Sequence, residues 1–194
     1  MDNLKNEVLL VLTDEWNDWE ASYAVAVINA FSDYQVKTIS LDNLPKKSMG
    51  GLAVGIDYTI DNYQQFDHLA LVILPGGLSW EKQRYDELVK FIVDTRKLAI
   101  PLAAICGATT FLCKHGFLND VKHTGDSLEL FKQQKGYQGE PFFIHEQVVV
   151  DQYLITANET AAVAFAYEIF KLLAIDSEEE MEEWYANFTY GAVR

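Results

Sequence analysis

The sequence predicts an α/β fold in which a mostly parallel sheet carries helices on both faces. Three observations predict it. Short apolar runs at 7–13, 69–74 and 101–105 have the character of strands buried on both sides. Stretches with apolar residues at helical spacing alternate with them. The segments richest in reactive or turn-forming residues, 14–20, 75–77 and 106–108, all fall where predicted strands end, and open α/β sheets gather their chemistry beyond the carboxyl ends of strands.

Taken in order, 7–13 (EVLLVLT) is the first strand, and Trp16, Trp19, Ala24, Val27, Ile28 and Phe31 then recur at helical spacing. Residues 34–41 (YQVKTISL) are the second strand. Gly50, Gly51 and Gly55 make 46–62 a region of irregular sheet and turns. The run 69–74 ends abruptly at Pro75-Gly76-Gly77. Leu88, Phe91, Ile92 and Thr95 mark one face of a helix over 85–98. The strand 101–105 runs straight into Cys106-Gly107-Ala108. A helix over 109–115 stops at Gly116, a C′ glycine. Residues 148–150 and 153–156 flank Asp151-Gln152 as a hairpin, and helices over 160–174 and 178–187 follow. With 194 residues and no linker, repeat or low-complexity segment, 1–194 reads as one domain.

Charge and composition exclude several functions. Fifteen Lys+Arg against twenty-nine Asp+Glu give a net charge of −14, which repels phosphate backbones and anionic lipid. Neither nucleic acid nor membrane is expected as a partner, and no apolar run reaches the ~20 residues of a membrane helix. Two cysteines do not make a disulfide framework, and the opening MDNLKNEVLL lacks the shape of a signal peptide, so a reducing, cytoplasmic setting is expected. No phosphate-cradling glycine loop or metal-ligand spacing appears, so neither a cofactor nor a metal is called for.

Cys106 lies between a buried strand and a helix with small neighbours (Ala104-Ile105-Cys106-Gly107-Ala108), the pattern of a nucleophile elbow. A helix N-terminus favours negative charge and so favours the thiolate. The alternative is a buried structural cysteine. Gly76 and Gly77 end the neighbouring strand and, with the N–H of Gly107, can form an oxyanion hole, or they can be a plain turn. Glu20 has two readings. Spaced three residues from Asn17, it fits a capping box. Held in a dry place at the same sheet edge, with Trp16 and Trp19 as candidate walls, it fits a protonated carboxyl beside Cys106. His123 follows the cysteine helix and is a candidate partner for the thiol. His115 suits a helix C-terminus, while His68 and His145 receive no role. Cys113 lies two turns beyond Cys106 and reads as core.

Asp18-Trp19-Glu20, Leu74-Pro75-Gly76-Gly77 and Ala103-Ala104-Ile105-Cys106-Gly107-Ala108, in this order, resemble the DJ-1/PfpI superfamily, including its bacterial intracellular protease/amidase-like members. The resemblance spans nearly the whole chain and implies the class I glutamine amidotransferase-like, flavodoxin-like three-layer sandwich. It implies a nucleophilic, oxidation-prone Cys106, a protonated Glu20 bonded to its sulfur, and backbone N–H groups of Gly76, Gly77 and Gly107 around an anion or carbonyl oxygen. It also implies a homodimer. Two departures argue against a peptidase or glutaminase. Gly107 follows the cysteine where several branches have histidine, and Thr124 stands where others place one, with His123 a residue earlier. The late segment Ala157-Asn158-Glu159 lacks the amidotransferase His-x-Glu pair. The expected function is a cysteine-dependent amidase, glyoxalase or hydratase acting on a small carbonyl, amide or similar electrophile. The alternatives are a redox-responsive cysteine protein whose small-molecule partner is an oxidant, and a stress-associated scaffold.

Overall fold

A computed structural model of the chain describes residues 6–82 and 85–192. The first five residues of the opening segment read for a signal peptide therefore lie outside the described residues. Strands β1 (Glu7–Val11), β2 (Gln35–Ser40), β5 (Tyr58–Thr59), β6 (Leu69–Leu74), β7 (Leu102–Ile105), β8 (Val148–Asp151) and β9 (Leu154–Ala157) form a seven-stranded sheet in the order β5-β2-β1-β6-β7-β9-β8. All pairings are parallel except β8 with β9. Two short strands, β3 (Lys46–Lys47) and β4 (Ala53–Val54), make a separate hairpin inside the region read as irregular.

Alternation along the strands sorts the core into two layers. Leu9, Val11, Val72, Leu74, Leu102 and Ala104 face α3 (Asp86–Lys97), α4 (Gly107–Lys114) and α5 (Leu128–Lys132). Val8, Leu10, Leu71, Ile73, Ala103 and Ile105 face α1 (Asp18–Phe31) and α6 (Ala162–Leu173), with α7 (Glu178–Tyr190) packed outside α6. This is the three-layer, flavodoxin-like sandwich. On α3, Leu88, Phe91, Ile92 and Thr95 are the buried face, as their spacing requires.

The α1 pattern is different from its expectation. Its buried face is Glu20, Ala21, Ala24 and Ile28, whereas Trp19 is 48% and Phe31 75% exposed. Small residues on that face let α1 and α6 approach closely, so the large apolar side chains are left outside. Two short helices, α2 (Ser79–Lys82) and α5, carry too few turns to show periodicity in sequence. Among the described residues, no helix is long and apolar enough to cross a membrane.

Candidate functional site

The parallel strands β1, β6, β7 and β9 deliver four chain segments to one sheet edge. Cys106 follows β7 directly and adopts φ 56°, ψ −132°, a conformation costly for any residue with a Cβ. Its N–H donates to Ala157 O of β9 at 3.0 Å, and its carbonyl accepts from Thr109 N at 2.8 Å and Thr109 Oγ1 at 2.7 Å. The turn is thus held from both sides, and the thiol is left half-buried above the sheet.

Glycines are required here by space. A Cβ on Gly76 would stand 2.6 Å from Glu20 Oε2, 2.7 Å from Cys106 Cβ and 3.0 Å from Cys106 Sγ. Gly77 has φ 151°, and its Cβ would stand 2.6 Å from Glu15 O. A Cβ on Gly107 would stand 3.1 Å from Gly77 O. Trp80 of α2 fixes this turn: its Nε1 donates to Pro75 O at 2.9 Å, and its ring packs on Phe111 of α4 at 4.8 Å between centroids.

Glu20 is fully buried at the first turn of α1. Its Oε1 accepts from Asn17 Nδ2 at 2.6 Å and its Oε2 from Gly76 N at 2.6 Å. Asn17 Nδ2 also lies 3.7 Å from Cys106 Sγ. Asn17 is indeed the N-cap residue, yet no capping box forms: its side chain caps nothing, and Glu20 turns to the Gly76 amide instead of the Asn17 backbone. Burial pushes the Glu20 carboxyl up from its ordinary value, against the lowering effect of its hydrogen bonds to Asn17, Gly76 and Cys106. Neighbouring Asp18 pins the loop beside the site, accepting from Ser48 Oγ at 2.5 Å and Gly50 N at 2.9 Å.

The thiol is not lowered as its place at a helix N-terminus suggests. Burial pushes Cys106 well above the ordinary thiol value, and the charges of Glu20 and Asp126 push it further, outweighing the hydrogen bond from Gly107 N–H.

Asp126, which sequence reasoning passed over, completes the site. Its carboxyl interacts with Cys106 and with Glu159, and burial together with Glu159 raises it to about 7. Its Oδ1 accepts from Glu159 N at 2.9 Å. The segment reaches this edge because Thr124 N donates to Thr156 Oγ1 of β9 at 2.9 Å and Thr124 Oγ1 to Glu146 O at 2.7 Å. Thr124 is thus spent on backbone anchoring, and the only sequence signal for Asp126 is its place two residues beyond it.

His123, Trp19 and Cys113 are not assembled around the thiol. His123 is fully buried, with Nδ1 at 2.8 Å from Val121 O and Nε2 at 2.9 Å from Tyr137 OH, stacked near Phe131 in the α4–α5 core layer. Both ring nitrogens are committed, and burial lowers its pKa, so it is no base for Cys106. Gly76 N–H is spent on Glu20 and Gly107 N–H is directed at the sulfur. This leaves Gly77 N–H, without a partner among the described residues, as a donor for an oxyanion. Trp16 is buried in the α1–α6 core layer against which Cys106 packs, while Trp19 is too exposed to wall the site. Cys113 is core. Among the described residues no group of His, Cys, Asp and Glu is placed to hold a metal ion.

Comparison with known proteins agrees with this architecture. The model of the DJ-1/PfpI family matches residues 6–172. The chain is 35% identical over 185 residues to a Bacillus subtilis protein named uncharacterized protease YdeA, covering 95% of this chain and 92% of that one. A thiJ/pfpI family protein from Bacillus anthracis superposes with a TM-score of 0.90 at 29% identity, covering 96% of this chain and 92% of that one. A DJ-1 superfamily protein from Agrobacterium tumefaciens gives a TM-score of 0.85 at 32% identity, covering 92% of this chain and 95% of that one. On the family match and the shared fold together, the chain belongs to the DJ-1/PfpI family.

Proposed function

We propose that the chain is a cysteine-dependent enzyme that adds Cys106 to the electrophilic carbon of a small carbonyl or amide compound, with Asp126 accepting the thiol proton. The observation that carries this reading is the Asp126 carboxyl against a strained, half-buried thiol that has no histidine partner among the described residues. A group poised near neutrality is suited to take and return a proton.

In the addition step the S–H bond breaks as the S–C bond forms, and the proton passes to Asp126. The carbonyl π pair becomes an oxyanion facing Gly77 N–H. With an α-oxoaldehyde that proton returns to the oxygen, and the neutral hemithioacetal rearranges by a hydride shift to a thioester; with an amide it passes to the departing amine, which also leaves a thioester, and water hydrolyses either thioester to the acid and the free Cys106 thiol. Glu20 acts as the buried carboxyl that orients the sulfur with Asn17. The curated relatives' protease names bring peptide bonds into the same amide class.

The test is turnover of α-oxoaldehydes, small amides, isonitriles and a casein-derived peptide by the native protein, Cys106→Ser and Asp126→Asn. The reading predicts loss of activity in Cys106→Ser and a drop of about 10²-fold in Asp126→Asn. Full activity in Cys106→Ser would overturn it.

One observation favours a second reading. The buried Glu20 carboxyl, raised and bonded to the thiol, can donate to oxidised sulfur. Two equivalents of peroxide would convert the thiol to a sulfinate and be reduced to water. Oxidation of Cys106 ahead of Cys113 under mild peroxide, with no turnover of any compound above, would favour it.

A further inference from the structure

The Cys106 site is lined on one side by carboxyl groups. Glu20 and Asp126 flank the thiol, and Glu159 stands at the rim, close enough to act on both. Beyond Asp126 a groove opens over the ends of β8 and β9, lined by Glu129, Glu146, Asn158 and the exposed ring of His145. No lysine or arginine lines this groove among the described residues. The nearby cations are used elsewhere: Lys132 pairs with Glu140 at 2.9 Å, and Lys82 pairs with Glu15.

A second observation concerns hydrogen bonding. Asn17 is buried with its amide against the thiol, and its Oδ1 has no partner among the described residues. An orphaned buried acceptor costs free energy until a donor reaches it. A ligand bearing an N–H can supply that donor.

We propose that the electrophile taken up by Cys106 is a cation: a small carbonyl or amide compound bearing an ammonium or guanidinium group, which Asp126 and Glu159 select. This rests on the nucleophile reading above and names its substrate class. Opposite charge in a partly dehydrated cleft raises local substrate concentration and excludes competitors of the wrong sign. A bound cation also favours the ionised, proton-accepting form of Asp126.

Charge selection can be read without knowing the substrate. Methanethiosulfonate reagents bearing a trimethylammonium, a neutral methyl or a sulfonate group each transfer their alkylthio group to Cys106, which loses its proton and forms a mixed disulfide as methanesulfinate leaves. Rates at Cys106 are resolved from Cys113 by peptide mapping and normalised to a small neutral thiol in the same buffer. The proposal expects a cation-over-sulfonate preference at least tenfold above that reference in low salt. The preference should fall severalfold in Asp126→Asn and in Glu159→Gln, and in high salt in the native protein. Glu179→Gln, on exposed α7, should leave it unchanged and so separates the local field from the overall charge. Reaction with all three reagents at the reference ratio overturns charge selection and leaves the nucleophile standing. An equal loss in Glu179→Gln and Asp126→Asn assigns the preference to net charge and also overturns it. Failure of even the neutral reagent to modify Cys106 overturns the nucleophile reading and the inference together.

Discussion

The two cysteines sit on one helix in opposite settings. Cys106, the N-cap of α4, has positive φ, a half-buried thiol and carboxyls on two sides. Cys113, near the helix end, is fully buried, lies 3.7 Å from Phe131 O and has no charged partner among the described residues. Both thiols are raised. For Cys113 burial alone pushes it up, to about 12. For Cys106 burial acts together with Glu20 and Asp126. The difference teaches that a raised thiol has two kinds of cause. Burial is fixed by the core, whereas a neighbouring carboxyl can take the proton that keeps the thiol neutral.

The largest expected effect separates the two backbones. Cys106→Gly relieves the left-handed strain and should stabilise the protein by about 1 kcal/mol. Cys113→Gly should cost about 3 kcal/mol, from lost burial and a glycine inside a helix. Urea denaturation of both variants measures this, and equal losses would mean the elbow carries no strain.

Next comes Gly76→Ala. Its Cβ would meet Glu20 Oε2 and Cys106 Cβ, at 2.6 and 2.7 Å, and a loss of about 2 kcal/mol is expected. Thermal denaturation checks this, and an unchanged Tm would contradict the close approach.

Asp126→Asn sharpens the electrostatic side. In the native protein Asp126 is raised from 3.8 to about 7, so the folded state holds this proton more tightly than the unfolded state. That contribution to stability is fully present below pH ~4 and is lost as pH rises through ~7. Asp126→Asn should therefore be more stable than the native protein at pH 8, by about 1–2 kcal/mol after allowing for partial exposure, and show no gain at pH 4. A gain that is the same at both pH values would contradict the assignment.

The smallest expected effect is at His123. His123→Gln should leave Cys106 alkylation within about twofold of native, because its ring points into the other layer. A tenfold change would restore the histidine as a partner of the thiol.

Much of this was legible in the chain, for identifiable reasons. The wholly apolar β6 followed by Pro75-Gly76-Gly77, and β7 followed by Cys106, announce strand ends on their own. Glu20 was ambiguous because the spacing from Asn17 serves a capping box and a buried carboxyl pair equally well. Asp126 was not legible: 20 residues separate it from Cys106, and the anchors that bring it back, Thr124 to Thr156 and to Glu146, are tertiary. The causes acting on the Cys106 thiol were hidden for the same reason. A helix terminus can be seen in sequence, but the burial that raises the thiol, and the two carboxyls that add to it, depend on the fold.

The central claim is that Cys106 rests as a thiol whose proton is governed by Asp126. Its most direct test is the iodoacetamide rate of Cys106 against pH, with Cys113 as internal reference, in native protein and Asp126→Asn. The account predicts an apparent Cys106 pKa above the ~8.5 of a free thiol, lowered in Asp126→Asn, with Cys113 unmoved. A native value below that of a free thiol, or one indifferent to Asp126→Asn, would contradict it.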